Sequence, residues 1–290
     1  MTRRLALLPL VLLTSTLTTS ESQGYTLYLT DGDAAKCNAG DEDFCPQPLR
    51  WWRRETVFSL ARTEPGDFAM TEVRGLVETS FDAWIDADCA TTPSPNGMLP
   101  VVTFAGMSDA TRSTPPATAK VEPDNVVVFI RSSSEWTRMG NSASWIAITK
   151  IAHDQTTGEI VDADIEINDG GESGGYTFSL DGTPSQGEVD FLSMLIHEVG
   201  HFYGLDHSLI NTATMFATYS QVAGDVTDAR ILDPDDVTGV CALYTNVPER
   251  GSNNGDDGGG GCQGGPLSGL LGLLGLAAPK LLRGRRHRLG

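Results

Sequence analysis

Residues 197–208 read His-Glu-Val-Gly-His-Phe-Tyr-Gly-Leu-Asp-His-Ser, and this stretch decides the fold. His197 and His201 are four apart, so on a helix they stand one turn above each other on one face. Two imidazoles so placed can reach a single zinc ion at ~2.0–2.1 Å. Glu198, beside the first of them, is set to contact a metal-bound water rather than the metal. Gly204 ends the helix, because glycine enters the left-handed conformation without steric cost. The chain then turns back and His207 supplies a third nitrogen. Three neutral nitrogens leave one coordination position open, the mark of a catalytic rather than a closed structural zinc site.

H-E-x-x-H alone arises by chance in on the order of 1% of chains this long, and the added Gly and His make the pattern roughly five hundredfold rarer. Three of the five histidines of this 290-residue chain fall inside the motif. HExxHxxGxxH followed by a methionine turn resembles the metzincin metalloproteases, and Ser208 after the third histidine resembles the matrixin branch. The resemblance makes Met215 of Thr214-Met215-Phe216 the Met-turn residue, a hydrophobic floor and not a ligand. It also places Tyr219 in the wall of the substrate pocket, although Ala217 stands where matrixins often carry proline. Asp233-Pro234-Asp235-Asp236 through Leu243-Tyr244 resembles the family's final helix. Animal matrixins hold a second, structural zinc with three histidines and an aspartate; here only His153 is left over, so that site cannot form in its usual way. There is also no room for a folded prodomain and no cysteine-switch sequence.

Periodicity extends the reading outward. Residues 67–86 carry Val73, Leu76, Val77, Phe81, Trp84 and Ile85 on one helical face. Strands are expected over 49–60, 99–104, 126–130, 143–151 and 159–167, a second long helix over 188–203, and a last helix over 233–244 opened by Asp233 and Pro234. This is an α+β arrangement: a twisted mixed sheet packed with two long helices, the second bearing the zinc motif, and a small C-terminal subdomain with the Met-turn and final helix.

The ends have a different composition. Residues 1–20 have the layout of a signal peptide, Arg3 and Arg4 ahead of an apolar run too short to span a bilayer. Residues 248–265 form a Gly-rich linker, and 266–290 an apolar stretch followed by a basic cluster. That tail, with Cys262 just ahead of it, resembles the sorting tails of myxobacterial surface proteins. The catalytic domain is thus expected over 21–247, in a secreted or surface protein that meets the membrane only through its tail before processing.

Between residues 22 and 262 there are 13 basic against 37 acidic side chains, a formal charge near −24, which disfavours nucleic acid as a partner. With Cys262 assigned to the tail, Cys37, Cys45, Cys89 and Cys241 allow two bridges and three pairings. Cys37 with Cys45 would close a small loop and leave Cys89 to Cys241. Loop 153–158 with Asp162, Asp164 and Asp169 could hold Ca²⁺, the competing reading being a hydrated acidic loop.

The expected activity is that of a zinc-dependent endopeptidase acting as a monomer on protein or peptide substrates, with Glu198 as general base. Peptide-bond specificity rests on the resemblance. A substrate would lie extended beside an edge strand, with 159–167 the candidate. The alternative is a non-catalytic surface or adhesion module that uses zinc structurally.

Overall fold

The computed structural model describes residues 24–32, 45–62, 68–89, 99–109, 125–169, 174–219 and 226–244. The proposed signal peptide, linker and sorting tail, together with Cys37 and Cys262, lie outside the described residues. Five strands form the main sheet: β2 (Glu55–Ala61), β3 (Val101–Ser108), β4 (Asn125–Phe129), β5 (Ala147–His153) and β6 (Ile160–Ile167). Two short strands, β1 (Thr26–Leu27) and β9 (Leu205–Asp206), pair with each other, as do β7 (Thr177–Ser179) and β8 (Glu188–Asp190). The helices are α1 (Met70–Ile85), the short α2 (Ser133–Arg138), α3 (Phe191–Phe202) and α4 (Pro234–Tyr244).

The main sheet runs β3-β2-β4-β6-β5, with every pair parallel except the last. A mixed sheet with few helices is the α+β arrangement expected. One expectation is corrected. Strand β6 is hydrogen-bonded to β4 on one side and β5 on the other, so it has no edge to offer a substrate; the antiparallel edge strand is β5. Residues 49–54 also fall outside the strand expected there. Arg50 instead forms an isolated bridge with Glu159, exchanging hydrogen bonds with Gly158 and Ile160.

Both long helices pack into the core that covers one face of the sheet. In α1, Val73, Val77, Phe81 and Trp84 are buried at the spacing of a single helical face. Trp84 anchors the two helices by donating its indole N–H to the carbonyl of Ile196 at 2.8 Å, and Phe81 meets Phe202 edge-on. In α3 every residue is buried, so its polar groups must be satisfied inside the protein. A smaller cluster of Val126, Val128, Ile130, Trp136 and Ile148 forms the second core.

The acids of β6 do not face solvent. Asp162, Asp164 and Glu166 are all buried. Glu166 is neutralised by Lys150 at 2.6 Å and by the Asn141 amide at 2.9 Å, while Asp164 accepts from the Val126 N–H at 2.8 Å. Burial and the neighbouring Asp162 push the Asp164 carboxyl well above its ordinary pKa. Asp169 pairs with Arg131, and Asp154 caps its own loop at Thr156 and Thr157. These acids serve internal partners, so calcium is not supported.

Cys89, just past α1, is bonded to Cys241 in α4. Cys45 is also a half-cystine. The Cys89–Cys241 bridge closes a segment 152 residues apart, and constraining so long a loop in the unfolded chain is worth ~2–4 kcal/mol. Replacing both cysteines by serine should lower the melting temperature by about 5–15 °C while leaving the far-ultraviolet circular dichroism spectrum at 25 °C unchanged; calorimetry checks this.

Candidate metal centre

Helix α3 is fixed at its start by a buried carboxylate. Asp190 is the N-cap, accepting from the Ser193 N–H at 2.8 Å. Both its oxygens also accept from Arg230, at 3.0 and 2.6 Å. Asp190 is fully buried, so the guanidinium offsets a charge that would otherwise be very costly there. The backbone N–H of Asp190 donates to the Tyr219 hydroxyl at 2.7 Å, joining the expected pocket wall to the same cap.

At the other end the helix stops at Tyr203, and Gly204 has φ +100°. A Cβ there would collide with the Leu49 carbonyl, so glycine is required by both conformation and space. The reversal feeds β9 and returns His207 to the helix. His197, His201 and His207 then offer ligand nitrogens within 4.8 Å of one another, the only such group among the described residues. Their ring centroids are 4.7–5.3 Å apart.

The opposite ring nitrogens are held by the protein. Nδ1 of His197 donates to the Thr214 carbonyl at 2.6 Å, and Nδ1 of His201 to the Leu205 carbonyl at 2.8 Å. These bonds assign the tautomer that turns Nε2 toward the cluster. Tyr28 adds its hydroxyl 3.1 Å from the same His201 nitrogen, and the His207 carbonyl accepts from Thr26 at 2.6 Å. Nε2 of His197 is buried with no hydrogen-bond partner among the described residues. Burial, then the neighbouring His207, lowers the His197 pKa to about 3, so this ring is neutral at pH 7, as a ligand must be. Neutral, buried, convergent imidazoles fit zinc.

Glu198 is fully buried beside them. Burial raises its pKa to about 8, against the opposing effect of hydrogen bonds from Thr149. The Thr149 hydroxyl lies 2.6 Å from Oε2 and 3.0 Å from the Glu198 carbonyl, whereas Oε1 is buried without a partner among the described residues.

Met215 is buried against α3 at Gly200, where any Cβ would strike its sulfur. Its turn is held by Asp236, which accepts from the N–H groups of Thr214 at 2.8 Å and Met215 at 3.0 Å. Sequence reasoning treated 233–236 only as a helix start. Asp233 does accept from the Asp235 N–H, but it also accepts from Thr212. Asp235 accepts from Ser208 and from the N–H groups of Gly24 and Tyr25. Thr149, Tyr28, Asp190 and Arg230 were not singled out from sequence, and Asp236 was named only as part of the final helix. Only Thr149 carried a readable signal, a hydroxyl between Ala147 and Ile151 at core-facing strand positions.

A family model described as Matrixin matches residues 127–245. Metalloendoproteinase 4-MMP of Arabidopsis thaliana is 36% identical over 73 residues, 25% of this chain and 20% of that protein. Matrilysin of Rattus norvegicus is 39% identical over 56 residues, 19% of this chain and 20% of its own length. Stromelysin-1 of Equus caballus is 41% identical over 61 residues, 21% of this chain and 12% of its own length. The matched stretch thus spans a fifth or less of each of these relatives. Together the matches support a matrixin-like metalloprotease, and that family implies zinc.

The purified protein should take up one zinc ion per chain. Zinc at ~1,000 times its dissociation constant should add about 4 kcal/mol of stability, and removal by a chelator should reverse the gain. His201→Ala should abolish both uptake and stabilisation; metal analysis and thermal melts on the same samples check this.

Proposed function

We propose that this chain is a secreted or surface zinc endopeptidase in which His197, His201 and His207 hold the metal and Glu198 is the general base. The observation that carries this reading is a buried carboxylate one residue along from the first of three convergent imidazoles, with one oxygen bonded and the other buried without a partner among the described residues. A bound zinc supplies Lewis-acid polarisation of a water molecule and of the peptide carbonyl. Glu198 accepts the proton released from the attacking water and returns it to the leaving amine. Burial alone raises the Glu198 pKa, and a zinc ion held beside it would favour the ionised form that accepts the proton. His197, Glu198 and His201 are buried, which strengthens each electrostatic contact among them.

Substrate lies extended along β5, the antiparallel edge strand, and adds backbone hydrogen bonds to it. Met215 packs beneath the motif and Tyr219 takes a structural place in the pocket wall. Its hydroxyl is engaged at the Asp190 N–H. The half-cystines fit an oxidising compartment, consistent with export directed by residues 1–20 and a tail at 266–290 that is a sorting signal.

Glu198→Ala should lower kcat for peptide cleavage by at least ~10³-fold with zinc content unchanged, and chelation should silence the wild type. Assay of a mixed peptide library with metal analysis decides it. A Glu198→Ala protein that cleaves at the wild-type rate would remove Glu198 from the mechanism, and a zinc-loaded wild type that cleaves nothing would favour a binding module.

A further inference from the structure

Strand β5 places Ala147, Thr149 and Ile151 on the face that packs into the main core, where the first and last are apolar. Thr149 is wholly buried between them. A hydroxyl at such a position costs free energy unless it is hydrogen-bonded, and valine has the same shape without that cost. Its one O–H is shared between two acceptors of one residue, Glu198: Oε2 at 2.6 Å and the backbone carbonyl at 3.0 Å. The shorter contact is at the short end of the range for O–H···O hydrogen bonds. The bond crosses from the sheet to the helix, between residues 49 apart.

The mounting is stiff at both ends. Thr149 pairs with Ile165 in the antiparallel ladder, and its branched Cβ restricts χ1. Glu198 sits on a helix with no exposed residue. A glutamate side chain has three rotatable bonds, and burial alone does not choose among its rotamers. With Oε2 held, the remaining oxygen is confined to a narrow arc.

We propose that Thr149 is a positioning residue that fixes the Glu198 carboxylate through Oε2 and leaves Oε1 as the oxygen that handles the proton; this rests on the peptidase reading above. The Thr149 side chain is wholly buried on the core face of β5 and is not among the clustered ligand groups. A purely structural role, as a cap on the Glu198 carbonyl, would be lost with the hydroxyl but would leave turnover of the folded enzyme unchanged.

The test uses the full zinc-loaded protein with Thr149→Val and Thr149→Ser. Thr149→Val should lower kcat about 10–100-fold with KM within about twofold, since the substitution keeps the backbone of β5 and changes only a wholly buried side chain. Thr149→Ser, which keeps the hydroxyl, should restore most of the rate. Zinc affinity by chelator competition should be the same in all three proteins. Crystal structures should show the Glu198 carboxylate in one conformer in the wild type and in Thr149→Ser, and displaced in Thr149→Val. Should Thr149→Val not fold, Thr149→Ala against Thr149→Ser makes the same comparison. Wild-type kcat with an unmoved Glu198 in the variant lacking the hydroxyl overturns the inference alone. A wild type without chelator-sensitive cleavage overturns the peptidase reading and this inference with it.

Discussion

Three imidazoles can meet only if the helix carrying two of them stops at one particular residue and the chain doubles back at once. That constraint falls on Gly204, whose φ of +100° and missing side chain let the backbone pass against the Leu49 carbonyl. From this reversal the surrounding structure follows. The Gly204 carbonyl accepts from the Tyr28 N–H, β9 is delivered to β1, and Tyr28 arrives beside His201. A side chain at 204 would displace Leu49, and with it the segment whose indole at Trp51 caps the helix carbonyl of Phe202 at 2.9 Å. The turn is therefore coupled to the core as well as to the metal cluster.

Carboxylates do the complementary work of holding the loops that the reversal creates. Asp190 holds the start of α3, Asp236 holds the Met-turn, and Asp235 joins Ser208 to the segment at Gly24 and Tyr25. Each accepts several N–H or O–H donors that would otherwise be buried unpaired, at ~1–3 kcal/mol apiece. The arrangement costs desolvation: burial lifts Asp236 to about 6 even though three backbone N–H bonds pull the other way. Below its unfolded value near 3.8, this protonated carboxyl carries no such penalty. The penalty grows as pH rises toward about 6, so at neutral pH the loops are held by a charge the fold keeps at some expense.

Legibility followed the range of the physics. The metal motif, the turn at Gly204 and the two long helices were readable because each depends on spacings within a few residues: four along a helix face, three to the glycine, three more to His207. Strands were located to within several residues because branched runs mark burial, yet their order was not, since a run buried on both sides looks alike in any interior position. That is why 159–167 was taken for the substrate edge while the edge is β5. The partners of the β6 acids were hidden for a related reason. Alternation says which residues share a face and nothing of what covers it, so Lys150 and Asn141 as partners of Glu166 had no local trace. Arg230 reaching back to Asp190 across 40 residues is equally invisible before folding.

The same reasoning bears on whether the proposed zinc centre is catalytic or structural. A zinc ion that only braces a fold gains nothing from a carboxyl buried beside its ligands; an apolar residue at 198 would pack the helix at lower cost. Here the carboxyl is kept, deep in the core, with one oxygen anchored to the sheet by Thr149 and its pKa lifted to about 8. Two expensive polar groups are thus spent on one another at positions where the pattern of α3 and β5 calls for aliphatic side chains. Local rules broken in this paired way, with no gain in packing, are what the proposed proton-transfer role of Glu198 requires. A fold shaped for stability alone would carry valine at 149 and leucine at 198.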